Sequence, residues 1–413
     1  MGLISCLNAL NRAGANVGLL DCLSPMWSDI PWPKIQKFGQ GHFPKTPVPK
    51  PQTLEDIPRQ FSRYGLPFDA VKRSLIQMHT APDLVVLTCT MTYWYPGALS
   101  MAHLIREIWP RTPVVLGGIY ATLCPDHARN TEVFDLVVQG RLEDKENWNR
   151  IWKLLDSTPP PLPENSGEDF EQHHFYPPDF SVILGSRGCP FSCDYCASSC
   201  LYPGFKQRDS DQIWKEVSVQ LERGVYNFVF YDDALLVNPE QWLIPVLHKL
   251  AQTGSTIRLH TPNALHVRYL TPKMCKLLYA AGLTTIRLGL ESADFENRPD
   301  SKLTKQEWDQ GLENLFAAGF QPEQIGAYIL FGLPGQDPGN IVRAVNFVHK
   351  YGIRPHLAYY SPIPGSELFP LAMENTPYPI DEEPLFQNRA IWPCYPGGFS
   401  WEEHKKWQSL LKP

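Results

Sequence analysis

Residues 188–200 read Gly188-Cys189-Pro190-Phe191-Ser192-Cys193-Asp194-Tyr195-Cys196-Ala197-Ser198-Ser199-Cys200 and follow the short apolar run 181–184. Cys189, Cys193 and Cys196 form a CxxxCxxC array on what the pattern makes a loop after a strand. Four thiolates close the coordination of a [4Fe-4S] cluster, whereas three leave one iron open to an outside ligand, the difference between a structural and a reactive metal site. A zinc site completed by Cys200 is the competing reading, but CxxxCxxCxxxC lacks the two C-x(2-4)-C knuckles, set apart by a longer span, that zinc ribbons use. A disulfide framework fits less well, because the thiols crowd one loop and no secretory signal precedes them.

Downstream of the cysteines a strand-helix unit repeats six times, with strands expected at residues 182–184, 227–231, 256–260, 285–290, 326–331 and 355–360. Helix starts are marked by Asn238-Pro239-Glu240, by Thr271-Pro272 and by the capping box Thr304-Lys305-Gln306-Glu307. Gly224, Gly254, Gly282, Gly319 and Gly352 each stand a few residues before the next strand, where a helix C-cap takes up positive φ. Six units fall short of a closed eight-stranded barrel and make an open one over residues 179–366. Polar residues gather where these apolar strands end: Asp232 and Asp233, His260 and Asn263, Arg287 with Glu291 and Ser292, and Tyr359 with Tyr360. Residues 367–413 form a Pro- and aromatic-rich tail ending in an amphipathic helix, 401–411, which is expected to cover the cleft or bind substrate. Cys394 in that tail is a candidate thiol, more simply read as incidental.

Upstream, residues 157–178 (DSTPPPLPENSGEDFEQHHFYP) are Pro-rich and acidic and mark a linker. His173 and His174 within it diverge on an extended chain and read as solvated. Residues 1–156 alternate strand and helix, with strands at 83–88, 113–116 and 134–138 and a helix at 97–109; this implies a doubly wound, Rossmann-like parallel sheet whose ligands sit beyond the carboxyl ends. The chain opens with a helix (Leu3, Leu7 and Leu10 on one face, Gly14 as stop) and a strand at 17–20, so the usual first strand is expected to be missing. Residues 24–67 interrupt the domain as a Pro- and aromatic-rich insertion, expected to be ordered because Trp27, Trp32, Phe38 and Phe43 are apolar enough to pack. Two loops lie at the carboxyl ends, Thr88-Cys89-Thr90-Met91-Thr92-Tyr93-Trp94-Tyr95 and Gly117-Gly118-Ile119-Tyr120-Ala121-Thr122. Singly, such glycines and threonines are ordinary turns and strands.

With 413 residues the chain is long enough for two domains, and its net charge of −6 without a Lys/Arg tract gives no footprint for nucleic acid or an anionic membrane. Residues 84–105 are the longest uncharged run, but Thr88, Thr90, Thr92, Pro96, Gly97 and Ser100 divide it into strand, loop and helix, so no membrane span is expected. Ten cysteines and no export signal fit a reducing cytoplasm.

The CxxxCxxC array with Tyr195 before its last cysteine resembles the signature of the radical S-adenosylmethionine (SAM) superfamily. The two upstream loops resemble the cobalamin-binding domain of methionine synthase and of the cobalamin-dependent class of radical SAM enzymes. The resemblance implies a (β/α)6 partial TIM barrel in which Cys189, Cys193 and Cys196 hold a [4Fe-4S] cluster. Its open iron chelates SAM, and one electron splits SAM into methionine and a 5'-deoxyadenosyl radical. By the same resemblance Tyr195, Asp232, Asp233, His260, Asn263, Arg287, Glu291, Ser292, Ile329 and Gly332 line the SAM site. Thr88, Thr90, Tyr93, Gly117, Gly118 and Tyr120 line the pocket for the nucleotide tail of cobalamin. One departure stands out: the Asp-x-His-x-x-Gly loop that supplies the cobalt-ligating histidine occurs nowhere in the chain. The activity implied is methyl transfer to an unactivated carbon of a small-molecule or peptide substrate, with an external one-electron donor of the flavodoxin or ferredoxin type. The rivals are a radical SAM enzyme that cyclises or rearranges its substrate with a silent cobalamin domain, and a cluster- and corrinoid-binding redox sensor without turnover.

Overall fold

The computed structural model of the chain describes residues 2–23, 33, 41–164, 180–254, 256–296, 298 and 302–412. It divides into two compact units, Met1–Gln172 with Pro379–Asn388, and His173–Tyr378 with Arg389–Pro413. The expectations for Trp27, Trp32, Phe38, His173 and His174 lie outside the described residues.

The first unit is built on a parallel sheet in the order β3 (Val85–Cys89), β4 (Val114–Gly118), β5 (Leu136–Val137). Side chains alternate across it, as the two-residue period of a strand requires. Val85, Leu87 and Val114 pack with α2 (Phe68–Ile76) and α3 (Tyr95–Ile108), while Val86 and Val115 pack with α1 (Gly2–Arg12) and α6 (Lys145–Leu154). Short helices α4 (Ile119–Leu123) and α5 (Pro125–Asn130) follow β4. The strand expected at residues 17–20 is absent: that stretch is irregular backbone, because the sheet ends at β3 and offers it no ladder, and only Leu20 reaches the core. Within the insertion, β1 (Lys45–Pro47) and β2 (Ser62–Tyr64) form an antiparallel pair, and Phe43, expected to pack, is largely exposed.

The second unit carries six parallel strands in strict sequential order: β6 (Ser181–Ile183), β9 (Asn227–Phe230), β10 (Arg258–His260), β11 (Leu283–Glu291), β12 (Ile325–Phe331) and β13 (Arg354–Tyr359). Two-residue strands β7 (Ser186–Arg187) and β8 (Lys206–Gln207) pair antiparallel beside them, with α7 (Ser198–Leu201) between. Helices α8 (Ser210–Glu222), α9 (Leu243–Gln252), α10 (Pro272–Ala280), α11 (Lys305–Ala317) and α12 (Pro338–His349) alternate with the strands. The outward rows Phe228, Phe230, Leu259, Ile286, Leu288, Leu290, Ile329 and Phe331 join Trp242 and Trp308 in one core. Each such side chain contributes about 1.5–3 kcal/mol on burial.

Local chemistry sets the helix ends. Thr304 Oγ1 accepts from Glu307 N at 3.2 Å while Glu307 Oε2 accepts from Thr304 N at 2.7 Å, and Thr271 Oγ1 accepts from Met274 N at 3.2 Å. All five glycines expected at C-caps have positive φ; at Gly282 (φ 91°) a Cβ would also stand 2.4 Å from Ile257 O. One helix start differs: α9 begins at Leu243 instead of at Asn238-Pro239-Glu240. The Pro239 carbonyl accepts from Ile244 N at 2.9 Å, and the fully buried Trp242 sets the later start.

The tail folds with the unit that precedes it, except for Pro379–Asn388. Tyr395 stacks on Phe331 at 5.0 Å, Trp392 and Trp407 pack edge-on to the same ring, and α13 (Phe369–Glu374) and α14 (Trp401–Leu410) flank this cluster in sequence. Cys394 is buried with its thiol toward Ala372 O (3.8 Å), so it is a core residue and not a presented thiol. None of the ten cysteines is in a disulfide, and among the described residues no helix is long and apolar enough to cross a membrane.

Candidate active site

The β7–β8 pair forms the neck of the cysteine loop. Gly188 closes it with φ 72°, and a Cβ there would lie 1.9 Å from Gly204 O, so only glycine fits. Cys196 N donates to Cys193 O (3.0 Å), turning the loop, and Ser198 N donates to Cys196 Sγ (3.4 Å). The three thiols are half-buried. Burial pushes Cys189 up to about 11, and the neighbouring Cys193, Asp233 and Cys196 charges reinforce it. Burial also raises Cys193, opposed by the Lys302 ammonium. Cys200 turns away to donate to Gly365 O at 3.1 Å. Among the described residues no three His, Cys, Asp or Glu side chains converge on the single point that one ion requires. The fit to a cluster rests on the donor set: three soft sulfurs close enough to feel one another, already taking N–H···S hydrogen bonds.

Beneath the loop, the end of β11 is bulged. The register against β12 shifts between Gly289 and Glu291, and Glu291 takes φ 64°, a left-handed conformation that a non-glycine residue holds at a cost of about 1–3 kcal/mol. The bulge aims its carboxylate at the loop: Oε1 accepts from Tyr195 Oη at 2.7 Å and lies 3.4 Å from Lys302 Nζ, while Oε2 lies 3.7 Å from Arg298 Nη2. Lys302 Nζ reaches Cys193 Sγ at 2.5 Å. Burial first, then the Glu291 charge, raises the Tyr195 phenol. Lys302 and Arg298 carry no motif signal; they come from the loop after β11, and only the fold brings them here.

The other candidates fall in different places. Asp233 Oδ2 accepts from Ser198 Oγ at 2.8 Å, which holds it beside the cysteines. Asn263 Nδ2 donates to Tyr231 O (2.9 Å) and Asp232 O (3.4 Å), tying two strand ends together. His260 is buried with Nδ1 2.9 Å from Thr285 Oγ1, and desolvation brings it down to about 4, so it is neutral at pH 7. Ser292 Oγ accepts from Asp294 N at 3.1 Å; Gly332 (φ 78°) donates its N–H to Gln336 Oε1 at 2.7 Å. Two expectations need correction. Asp232 does not face the mouth: it is 2 % exposed, and its carboxylate accepts from Gly185 N (3.0 Å) and Ser186 Oγ (2.6 Å), bracing the strand that leads into the cysteine loop. Arg287 sits level with Gly326 and Arg354 at the starts of β12 and β13, about 13 Å below Glu291 at the rise of a strand. The Ile329 side chain belongs to the core, which is consistent with the expectation that this strand offers its backbone.

In the first unit, Thr88 and Thr90 are exposed and Gly117 is half-exposed, paired with Thr88 across the ladder. A Cβ at Gly117 would meet nothing nearer than Leu87 O at 3.9 Å, whereas at Gly118 (φ 91°) it would strike Cys89 O at 2.6 Å. This open, hydroxyl-edged end of the sheet fits the tail of a corrinoid. Tyr93 and Tyr120 do not line it: both are buried, and Tyr120 is fully enclosed, its Oη 2.6 Å from His127 Nδ1 and its ring stacked on Tyr95 at 5.4 Å. Tyr95 Oη in turn donates to Glu383 of the segment Pro379–Asn388 (3.1 Å), which supplies part of the cover.

Fold and site together define an iron-sulfur enzyme built on an open parallel barrel and joined to a doubly wound corrinoid-type domain. Residues 183–348 match the Radical SAM superfamily and residues 72–146 match the B12 binding domain. The chain belongs to the B12-binding class of the radical SAM superfamily, whose cofactors are a [4Fe-4S] cluster, SAM and cobalamin. It is 25 % identical over 331 residues to an uncharacterized methyltransferase of Pyrococcus horikoshii, covering 71 % of this chain and 70 % of that one. Against the bacteriochlorophyllide d C-12(1)-methyltransferase of Chlorobaculum tepidum it is 21 % identical, covering 62 % of this chain and 59 % of the relative. The radical SAM methyltransferase TsrM of Kitasatospora setae, solved with cobalamin and a [4Fe-4S] cluster, superposes with a TM-score of 0.59 at 14 % identity over 74 % of this chain and 67 % of that one, a likeness of fold.

Proposed function

We propose that the protein is a cobalamin-dependent radical SAM methyltransferase acting on an unactivated carbon of a small-molecule substrate. The observation that carries the reading is the presence in one chain of the three-thiol loop over the strand ends and an open corrinoid-type sheet end. The cluster supplies the electron that cleaves SAM, and cobalamin supplies the methyl group. Cys189, Cys193 and Cys196 hold the cluster, and the Asp232 brace fixes the loop's point of departure. Asp233 and the backbone at Ile329 and Gly332 border the space left for SAM and position it. Thr88, Thr90 and Gly117 receive the corrinoid tail. The electron comes from an external flavodoxin- or ferredoxin-type donor, in the reducing cytoplasm that ten unpaired cysteines suit.

The test is anaerobic reconstitution with iron, sulfide and cobalamin, then reduction in the presence of methyl-labelled SAM. The expected result is 5'-deoxyadenosine, S-adenosylhomocysteine, and label in the corrinoid fraction. Deoxyadenosine with no transfer of label favours a ring-forming or rearranging enzyme, and no deoxyadenosine at all refutes both readings.

A further inference from the structure

A surface lysine is a waving charge; Lys302 is not. Its side chain is 12 % exposed, and the ammonium is held by Tyr195 Oη at 3.3 Å, by Glu291 Oε1 at 3.4 Å and by the face of the Tyr195 ring, whose centroid lies 5.3 Å away. Burying an ammonium is costly unless partners compensate it, so the pairing fixes where Nζ can sit. From that anchored position it reaches Cys193 Sγ at 2.5 Å. The strained bulge at Glu291 contributes to the same end, because it directs the carboxylate that holds the lysine.

We propose that Lys302 is a positioning residue for the iron-sulfur centre: anchored by Glu291 and Tyr195, it donates a charge-assisted hydrogen bond to the Cys193 sulfur and raises the reduction potential of the cluster. The inference rests on the assignment of Cys193 as a cluster ligand. The physical step is electrostatic. A thiolate bound to iron keeps lone pairs that accept hydrogen bonds, and donors to those sulfurs are among the levers that set cluster potentials. Reduction adds one negative charge beside the ammonium, so the reduced state gains more from Lys302 than the oxidised state does. No covalent bond changes; the electron comes from the external donor already named.

The experiment uses the full chain, reconstituted anaerobically as wild type, Lys302→Met, Lys302→Gln and Lys302→Arg. Iron and sulfide per chain are measured first, then the midpoint potential by EPR-monitored titration, without SAM and then with it. The expected result is full cluster content throughout, with the one-electron reduction constant falling about tenfold in Lys302→Met, a drop of about 59 mV. Lys302→Gln should fall between, and Lys302→Arg should stay near wild type. An unchanged midpoint in a fully loaded Lys302→Met overturns the inference and leaves the ligand assignment standing. So does a change that appears only once SAM is added, which would place the ammonium on SAM instead. If Lys302→Met does not load, Lys302→Gln carries the test alone, and a wild-type midpoint there overturns it equally. Wild-type protein that binds no cluster refutes the reading beneath the inference.

Discussion

Asp232 carries a carboxylate where water does not reach, and its pH behaviour follows. Desolvation raises it to about 6 against the opposing hydrogen bonds of Ser186 and Gly185. A folded-state value above the unfolded one means that the native protein holds its proton over a window, from about 4 to about 6, in which the unfolded chain has lost it. Stability from this group is therefore full below about 4 and is lost as the pH rises through about 6, by about 3 kcal/mol at most for a shift of this size. Asp232→Asn keeps an acceptor for Gly185 N–H and removes the titration. Its urea-unfolding free energy, compared with wild type at pH 4, 5, 6 and 7, should therefore lack this slope; a parallel pair of curves would show that Asp232 does not titrate there. At the neighbouring network, Tyr195→Phe deprives Glu291 of its 2.7 Å donor. Loss of a hydrogen bond to a charged group costs about 1.5–3 kcal/mol when the partner is left buried. The midpoint of chemical unfolding measures it, with cobalamin content of the other unit as the unaffected control.

The elements of the barrel were legible because their punctuation is chemical. The capping box at Thr304 and Glu307 starts α11 as its sequence says, and Thr304→Ala should cost about 1 kcal/mol, read from the unfolding midpoint at constant denaturant slope. The six strands and the glycines that end the helices were legible for the same reason, since a period of two and a need for positive φ both leave marks in sequence. What the sequence could not disclose was direction. Asp232 and Asp233 are adjacent in the stretch after β9, yet the first is sealed against Gly185 and Ser186 and the second lies beside the cysteines. The bulge that turns Glu291 toward Tyr195 has no motif, and Lys302 and Arg298 meet it only through the fold. Arg287 looked like a residue of the mouth because β11 runs nine residues and the register with its neighbours was not yet known. In the small sheet, Thr88 and the two glycines were readable as a strand-end turn, whereas the enclosure of Tyr120 depends on a segment far along the chain. Gly117→Val tests the readable part: a branched side chain would fill the space a Cβ enters freely, so cobalamin retention after gel filtration should fall at least tenfold while the circular dichroism of the apoprotein stays unchanged.

At the scale of the whole molecule, the chain does not pass once from the corrinoid-type unit to the barrel. It enters the second unit, leaves it after Tyr378, belongs to the first unit for Pro379–Asn388, and returns at Arg389. The ten-residue return is fastened by buried side chains, Ile380, Leu385, Phe386 and Gln387 among them, and by polar contacts. Glu383 accepts from Tyr95 Oη at 3.1 Å and the Gln387 amide stands 3.9 Å from the Cys124 sulfur, while within the segment Gln387 Nε2 donates to Ile380 O at 2.7 Å. Burial first, then the Glu383 charge, pushes the Tyr95 phenol up, so the tyrosine keeps its proton in this hydrogen bond. The segment is thus a strap with one charged acceptor, Glu383, among its attachments. Glu383→Ala removes that acceptor, and a half-exposed bond of this kind is worth about 1–2 kcal/mol, or about tenfold in an opening equilibrium. Hydrogen-exchange mass spectrometry should show the amides of Thr92–Trp94 and Ile119–Leu123 exchanging about tenfold faster in the variant, with β9 to β13 unchanged, since those strands have a core of their own. Equal acceleration in both units would mean that the strap serves the stability of the whole chain, and no acceleration in either would mean that its apolar residues Leu385 and Phe386 hold it without Glu383.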